Sequence, residues 1–445
     1  MIRRRKALVF FVVLCLCSLL SSGEVLAYTA EKHFEKHLRP YSERIFMTGE
    51  WDGKRNTLAD KGVTFASTYV FDVLGNAFGG IQRAVRYDSS MGWDVNFDLE
   101  KFVGMKGTQF HISGLWRQGQ NLSKVAVGND FTVSSIYGRE QFRFYGLYLQ
   151  KMFFEDRLDI RLGRMAAGDD FAHSSLYWNF VSNAPDGNPI ALPLNFFFSC
   201  YPNAVWGSRA KFALTKDIQL MAGIYNGDPG VPRDSMYGLD WSLRLKEGIM
   251  GAFHLSYNPN TAPEATGMPG HYKAEFYYHG GTFRDYYSDI NGASQAVTDL
   301  DSKKHIGNPA VYLHADQMIY REKGPGTDEG LTPLIVVTLQ PENINKFPFF
   351  MVAGLLYKGL IPGRDDDMTM FQMSYGTYSG DLHQSEADAG DQYLQSYECV
   401  FEWSYKLYIT PWWFVQPDIQ YIKNPGGTNR YKDAMVFGSR LGLTF

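Results

Sequence analysis

Trp93-Asp94-Val95-Asn96-Phe97-Asp98-Leu99-Glu100 is a run in which apolar and polar side chains alternate without a break. Successive side chains of a β-strand point to opposite faces, so this period of two predicts a strand with one apolar and one charged face.

The same alternation recurs along the chain, which predicts an all-β protein. In one further example, Leu158 and Ile160 alternate with Asp159 and Arg161. The other alternating segments are 209–214, 239–246, 401–407, 418–421 and 435–445.

Alternation alone does not separate a soluble β-sandwich from a transmembrane β-barrel, because both have one apolar and one polar face. Segment length favours the barrel, since many segments run about ten residues, the length that a tilted strand needs to cross the hydrocarbon layer. The composition agrees: 28 Tyr, 32 Phe and 9 Trp occur without a long apolar run, and barrels carry aromatic girdles at both membrane interfaces. We therefore expect a transmembrane antiparallel β-barrel.

The connections between segments alternate between short and long, the layout of bacterial barrels with long extracellular loops. Short turns are expected at 215–217, 246–248 and 410–411, and long loops at 118–141, 166–206, 280–308 and 379–395. About seventeen candidate strands can be counted, whereas a single-chain bacterial barrel has an even number. At least one segment is therefore misassigned, and the suspects are 64–73, 310–320 and 367–378.

The N-terminus predicts export. Residues 1–27 combine a basic start, a short apolar run and small residues before Ala27, as in a cleaved signal peptide. Residues 28–47 are charged and mixed, and a short periplasmic helix or a frayed arm is expected there. This stretch belongs to a periplasmic segment at 28–62, ahead of a barrel domain at 63–445. The expected location is the outer membrane of a Gram-negative cell, with outer-membrane lipid around the barrel.

Charge and cysteine content restrict the partners. Residues 1–27 hold four of the 43 basic and one of the 47 acidic residues, so the remainder has 39 basic and 46 acidic residues and a formal charge of −7. With no polybasic patch, nucleic-acid binding is not expected. Cys200 and Cys399 remain after cleavage, so one disulfide is open but cannot carry the fold.

Catalytic and metal motifs are not recognisable in the sequence. Asp169, Asp170 and Glu100 are the candidates for glycosidase acids, but no motif supports a pair. His173 and His305 lack ligand spacing, as does His314, so neither a metal nor another cofactor is expected. The alternative to a passive pore is an outer-membrane carbohydrate-active enzyme. Among passive pores of the same fold, a general or anion-preferring porin is the alternative to a selective one.

Six strings, in order, resemble the carbohydrate-selective porins of the OprB type. They begin with Gly49-Glu50-Trp51-Asp52-Gly53-Lys54-Arg55 and include Arg161-Leu162-Gly163-Arg164 and Gln416-Pro417-Asp418-Ile419-Gln420-Tyr421. The other three are 98–101, 316–322 and 359–364. The resemblance implies a monomeric barrel of sixteen strands that passes mono- and oligosaccharides such as glucose by facilitated diffusion. The last strand, which ends in Phe445, resembles the signal that barrel-assembly machinery reads.

A sugar-selective pore should combine charged groups with a stacking aromatic, because sugars offer hydroxyl groups and apolar faces. Mixed signs among the expected lumen residues favour neutral solutes over anions. Arg164 and Arg209 flank the longest loop, which is expected to fold inward as the constriction, and Tyr177 and Trp178 within it are candidates for stacking. The alternative for each charged residue is a brace of the barrel wall. The remaining pore-lining candidates are Asp98, Glu100, Arg161, Arg244, Glu402 and Arg440.

Overall fold

A computed structural model describes residues 41–137, 140–262, 265–323 and 327–445. Seventeen β-strands follow one another along these residues. They are β1 (Val63–Gly80), β2 (Ala84–Asp98), β3 (Thr108–Gly119), β4 (Gln141–Phe153), β5 (Leu158–Met165), β6 (Val205–Ala213), β7 (Ile218–Asn226), β8 (Ile249–Tyr257), β9 (Gly270–Asp289), β10 (Ser302–Gln317), β11 (Tyr320–Arg321), β12 (Gly330–Leu339), β13 (Phe349–Lys358), β14 (Met368–Thr377), β15 (Tyr397–Thr410), β16 (Trp413–Lys423) and β17 (Lys432–Thr444).

The strands close into one antiparallel barrel, because β1 pairs with both β2 and β17. The two-residue β11 and the longer β10 both pair with β12, so they occupy one position in the wall. The barrel therefore has sixteen wall positions, which confirms the expected fold and removes the odd count.

Segment 239–246 is misassigned, whereas the three suspected segments are strands over most of their length, in β1, β10 and β14. Residues 239–244 are outside any strand, and Leu245–Glu247 is a 3-10 turn. The prediction of a short turn between strands at 246–248 is therefore wrong, while the turns at 215–217 and 410–411 lie where predicted.

Long connections lie at one end of the barrel, the loop end, and most short ones at the other, the turn end. The connections at the loop end, called loops 1 to 8, are 81–83, 120–140, 166–204, 227–248, 290–301, 340–348, 378–396 and 424–431. The long loop predicted at 280–308 is shorter than expected, because β9 and β10 extend into it and pair there.

The helices are short; the first precedes β1 and the others lie between strands. They are Lys54–Asp60, Leu99–Val103, Ala191–Asn195, Gln295–Thr298 and Gly380–Asp388, with a π-helical turn at Ser123–Val127. Further 3-10 turns lie at Ala167–Asp169, Tyr177–Asn179, Asp234–Met236, Glu342–Ile344 and Pro425–Gly427. Among the described residues, no helix combines the length and the apolar composition of a membrane span.

The chain divides into two units, Met1–Glu43 and Arg44–Phe445, and the barrel belongs to the second. The described part of the first unit is the 3-10 turn Tyr41–Glu43. The predicted signal peptide and its cleavage near Ala27 lie outside the described residues. The stretch 28–47, for which a short helix or a frayed arm was predicted, is described only from residue 41, and the helix Lys54–Asp60 lies after it.

Loops 2 and 3 belong to a hydrophobic cluster within the barrel. Phe131 and Val133 of loop 2 and Leu192 of loop 3 are buried in this cluster together with Val336 and Val352, whose side chains face the lumen from β12 and β13. On β1, by contrast, lumen-facing residues toward the turn end are exposed: Thr64, Ala66 and Thr68. The open, water-accessible side of the lumen is therefore that of β1 and its neighbours.

Candidate functional site

Loop 3 crosses the lumen and is fixed to the wall by Arg440. The Arg440 guanidinium forms ion pairs with Asp72 of β1 at 2.8 Å and with Asp186 of loop 3 at 2.9 Å. It also donates to the carbonyl oxygen of Phe180 in the loop at 2.9 Å. All three charged groups are buried. The two ion pairs therefore hold loop 3 against β1 and β17.

Two further contacts hold loop 3 on other strands. The Glu402 carboxylate of β15 accepts hydrogen bonds from the backbone N–H groups of Val181 at 2.7 Å and Ser182 at 3.2 Å. The Tyr177 hydroxyl lies 2.6 Å from that of Tyr312 on β10. Loop 3 therefore reaches across the lumen, as predicted for a constriction loop.

The 3-10 turn Tyr177–Asn179 is the part of loop 3 where an aromatic ring meets solvent. Trp178 is 50 % exposed, although its neighbour Tyr177 is fully buried. The Asn179 carbonyl accepts from the Gln416 side chain at 2.7 Å, which ties the turn to β16. Trp178 is therefore an aromatic surface held inside the barrel on a fixed turn.

A ladder of opposite charges lines the lumen face of β5 and β6. Arg209 forms ion pairs with Asp159 at 2.7 Å and with Asp170 of loop 3 at 3.0 Å. Arg161, which lies opposite Arg209 in the sheet, pairs with the same Asp170 at 3.2 Å. Arg161 and Lys211 keep part of their surface exposed, whereas Arg209 is buried.

The polar surface continues onto β4, β3 and β2. The Arg161 guanidinium lies 5.1 Å from the Tyr148 ring centroid, and Tyr148 stacks on His111 with a centroid separation of 4.5 Å. His111 contacts the Asn96 side-chain oxygen at 2.6 Å and lies 3.3 Å from the half-exposed Asp94 carboxylate. We call the set Asp94, Asn96, His111, Tyr148, Arg161, Asp170 and Lys211 the polar arc.

Comparison with known proteins gives the family. The carbohydrate-selective porin family OprB matches residues 82–445 of this chain. The chain belongs to that family. As a member it is an outer-membrane porin, a channel for the diffusion of carbohydrates.

Individual relatives agree with the family. Porin B of Pseudomonas aeruginosa is 27% identical over 420 residues, which cover 90% of this porin and 91% of that protein. A putative porin, QuiX of Acinetobacter baylyi, is 22% identical and covers 91% and 94% of the two chains. The high-pH structure of Pseudomonas putida OprB has a TM-score of 0.86 at 26% identity, covering 92% of this chain and 100% of that one.

Arg164 does not line the lumen of this porin, contrary to the prediction. It shares a face of β5 with Leu158 and Leu162, the latter exposed on the outside of the wall. Its guanidinium donates to the carbonyl oxygen of Asp240 at 2.5 Å and lies 5.5 Å from the Trp241 ring centroid. Arg164 therefore fastens loop 4 to the wall, and its loss is not expected to widen the pore.

Asp98 is the last residue of β2 and Glu100 lies in the turn that follows, so both are at the turn end of the wall. Asp98 caps the helix Leu99–Val103 by accepting from the backbone N–H of Glu100 at 3.0 Å. Glu100 accepts from the backbone N–H of Gly107 at 2.9 Å. Both carboxylates satisfy free N–H groups of the turn, so the predicted strand was extended too far.

Four further predicted residues also have structural contacts. Arg244 lies in loop 4, paired with Asp240 at 3.1 Å, because segment 239–246 is not a strand. Arg209, Glu402 and Arg440 face the lumen and are buried in ion pairs or hydrogen bonds with loop 3. These three correspond to the brace alternative.

Tyr177 is not available for stacking, because it is buried and its hydroxyl group lies 2.7 Å from His314 Nδ1. Of the predicted residues, Arg161 and Trp178 keep exposed surface in the lumen. Sequence analysis missed His111 and Tyr148 of the polar arc. The alternation of apolar and polar side chains along β3 and β4 was the signal that could have identified these two residues.

The described residues contain no cluster of three or more His, Cys, Asp or Glu side chains that could hold a metal. Asp169 and Asp170, considered as catalytic acids, are engaged by Tyr145 and by the two arginines of the ladder respectively. Cys200 and Cys399 are free thiols.

Asp169 should make stability depend on pH. Burial raises the pKa of this loop 3 carboxyl to about 6, although the Tyr145 hydroxyl donates to it at 2.5 Å. Because the folded-state pKa is raised, this contribution to stability is present below pH 4 and is lost as pH rises through 6. We expect Asp169→Asn to stabilise the porin at pH 8, by up to roughly 3 kcal/mol, and to have little effect at pH 4.

Unfolding in denaturant at both pH values measures this, with the wild-type porin as reference. A lower stability of Asp169→Asn at pH 8 would show that the ionised carboxylate is favoured in the folded state.

Proposed function

We propose that this porin passes mono- and oligosaccharides such as glucose by passive diffusion through the open side of the lumen, between loop 3 and the polar arc. The observation that carries the proposal is Trp178, a half-exposed ring on an anchored turn within the barrel. An aromatic face suits the C–H surface of a sugar.

The polar arc supports the same proposal because it supplies polar groups, which complement the aromatic ring of Trp178. Its exposed members offer hydrogen-bond donors and acceptors, which the hydroxyl groups of a sugar need in both senses. Arg161 pairs with Asp170, Lys211 lies 3.8 Å from the Asp159 carboxylate, and the Asp94 carboxylate lies beside His111. Such a mixed surface favours neutral solutes over the anions that a dominant Lys and Arg ring would attract.

Liposome swelling tests the proposal with purified porin. Glucose and maltose are expected to enter faster than amino acids of matched size. Equal rates for all solutes would eliminate sugar selectivity and favour a general porin, and absence of swelling with every solute would eliminate the pore itself.

We further propose that the porin works as a monomer in contact with outer-membrane lipid. Assembly would use the C-terminal strand, in which Phe445 donates a backbone hydrogen bond to the Ser67 carbonyl of β1 at 2.8 Å. A cleaved signal peptide at residues 1–27 remains the prediction for export.

A further inference from the structure

A groove on the outside of the barrel is not explained by sugar passage. It lies on β1, β2 and β17, has a volume of about 320 Å³, and is lined by Val73, Gly75, Val85 and Phe437 among others. Gly75 lies opposite Val85 on β2 and Phe437 on β17. Because glycine has no side chain, the groove lies between these two exposed apolar residues.

Four exposed cations lie at the loop end of the strands that form the groove and of the neighbouring β16. They are Arg83 of loop 1, Lys423 at the end of β16, Arg430 of loop 8 and Lys432 at the start of β17. Lys432 is the register partner of Gly80, which places it near the end of β1. None of the four forms an ion pair with another residue in the part of the chain that the structure describes.

The net charge around these four cations is positive. Residues 81–87 and 423–433 contain a single acidic residue, Asp433. Its carboxylate accepts hydrogen bonds from the Tyr421 hydroxyl at 2.6 Å and from the backbone N–H of Asn424 at 2.9 Å. The Asp433 carboxylate is thus hydrogen-bonded to neutral donors and forms no ion pair with the four cations. These cations therefore remain available to an external anion.

We propose that this surface binds an acylated lipid with a phosphorylated headgroup. An acyl chain occupies the groove beside Gly75, and the phosphate groups contact Arg83, Arg430 and Lys432. Arginine and lysine at a membrane surface attract anionic headgroups, and arginine matches the geometry of phosphate oxygens. The long loops of bacterial barrels face the cell exterior, so the lipid belongs to the outer leaflet.

The test uses full-length mature porin in detergent micelles and fluorescent bisphosphorylated lipid A as the probe. The variant Arg83→Gln/Arg430→Gln/Lys432→Gln is expected to bind it roughly a hundredfold more weakly than wild type. The matched control is Arg284→Gln/Lys303→Gln/Lys304→Gln, which removes three exposed cations at the loop end of β9 and β10. The control is expected to bind like wild type.

Two further binding measurements distinguish a lipid from free phosphate as the ligand. Dephosphorylated lipid A should bind weakly, and inorganic phosphate should not displace the probe at concentrations where unlabelled lipid A does. Equal loss in the two triple variants, tight binding of dephosphorylated lipid A, or displacement by inorganic phosphate would each overturn the proposal.

Discussion

Replacing Arg440 with Ala is expected to release loop 3 from the barrel wall and to raise single-channel conductance. The change leaves Asp72 and Asp186 buried without their shared cation. Removing one partner from a buried pair costs about 3–5 kcal/mol, which corresponds to a fall of roughly a hundredfold or more in the ratio of docked to undocked loop. Planar-bilayer recordings should show larger and noisier channels.

Asp186→Ala provides a second, milder variant in case Arg440→Ala does not fold. It removes the ion pair from the loop while Arg440 remains paired with Asp72. Arg157→Ala is the control, because Arg157 lies in the turn before β5 and its side chain contacts the backbone carbonyl of Ala213. If folded Arg440→Ala and Asp186→Ala channels both conduct like wild type, loop 3 does not set the size of the pore.

Replacing Trp178 with Ala is expected to weaken sugar binding in the pore without closing it. The ring is half-exposed on a turn that other residues anchor, so its removal should leave loop 3 in place. Contacts of an aromatic face contribute about 0.5–1.5 kcal/mol, which predicts a loss of roughly threefold to tenfold in sugar affinity. The measurement is the sugar concentration that halves the ion current.

Trp403→Ala is the matched control for this variant. Trp403 is exposed to a similar degree but lies on the outward face of β15, since its neighbours Glu402 and Ser404 face inward. Trp178→Phe should retain most of the affinity. Unchanged sugar affinity in Trp178→Ala would remove this residue from the sugar path.

The wall of the barrel was predictable because each strand repeats its pattern over many residues. Alternation of Asp159 and Arg161 with Leu158, Ile160 and Leu162 identified both the strand and its lumen face. The same rule could have corrected Arg164, which lies three residues after Arg161 and so faces the opposite way. Segment 239–246 alternates equally well but does not pair as a strand. Its apolar residues Leu239, Trp241 and Leu243 are exposed along loop 4.

The lumen contacts were less predictable because they join residues far apart in the chain. Arg440 meets Asp72 and Asp186, which periodicity within one strand does not reveal. Burial of Tyr177 beside exposed Trp178 follows from the short turn that contains them and from the contacts with β10. The sequence could identify loop 3 as the constriction but not which of its aromatic rings would meet solvent.

The most direct test of sugar passage beside loop 3 is the single-channel current of the wild-type porin during titration with glucose and longer maltose-type sugars. We predict a saturable reduction of the current, stronger for the longer sugars and absent with a non-sugar polymer of equal size. A reduction that follows only solution viscosity, identical for sugars and polymer, would contradict a sugar-binding path between Trp178 and the polar arc.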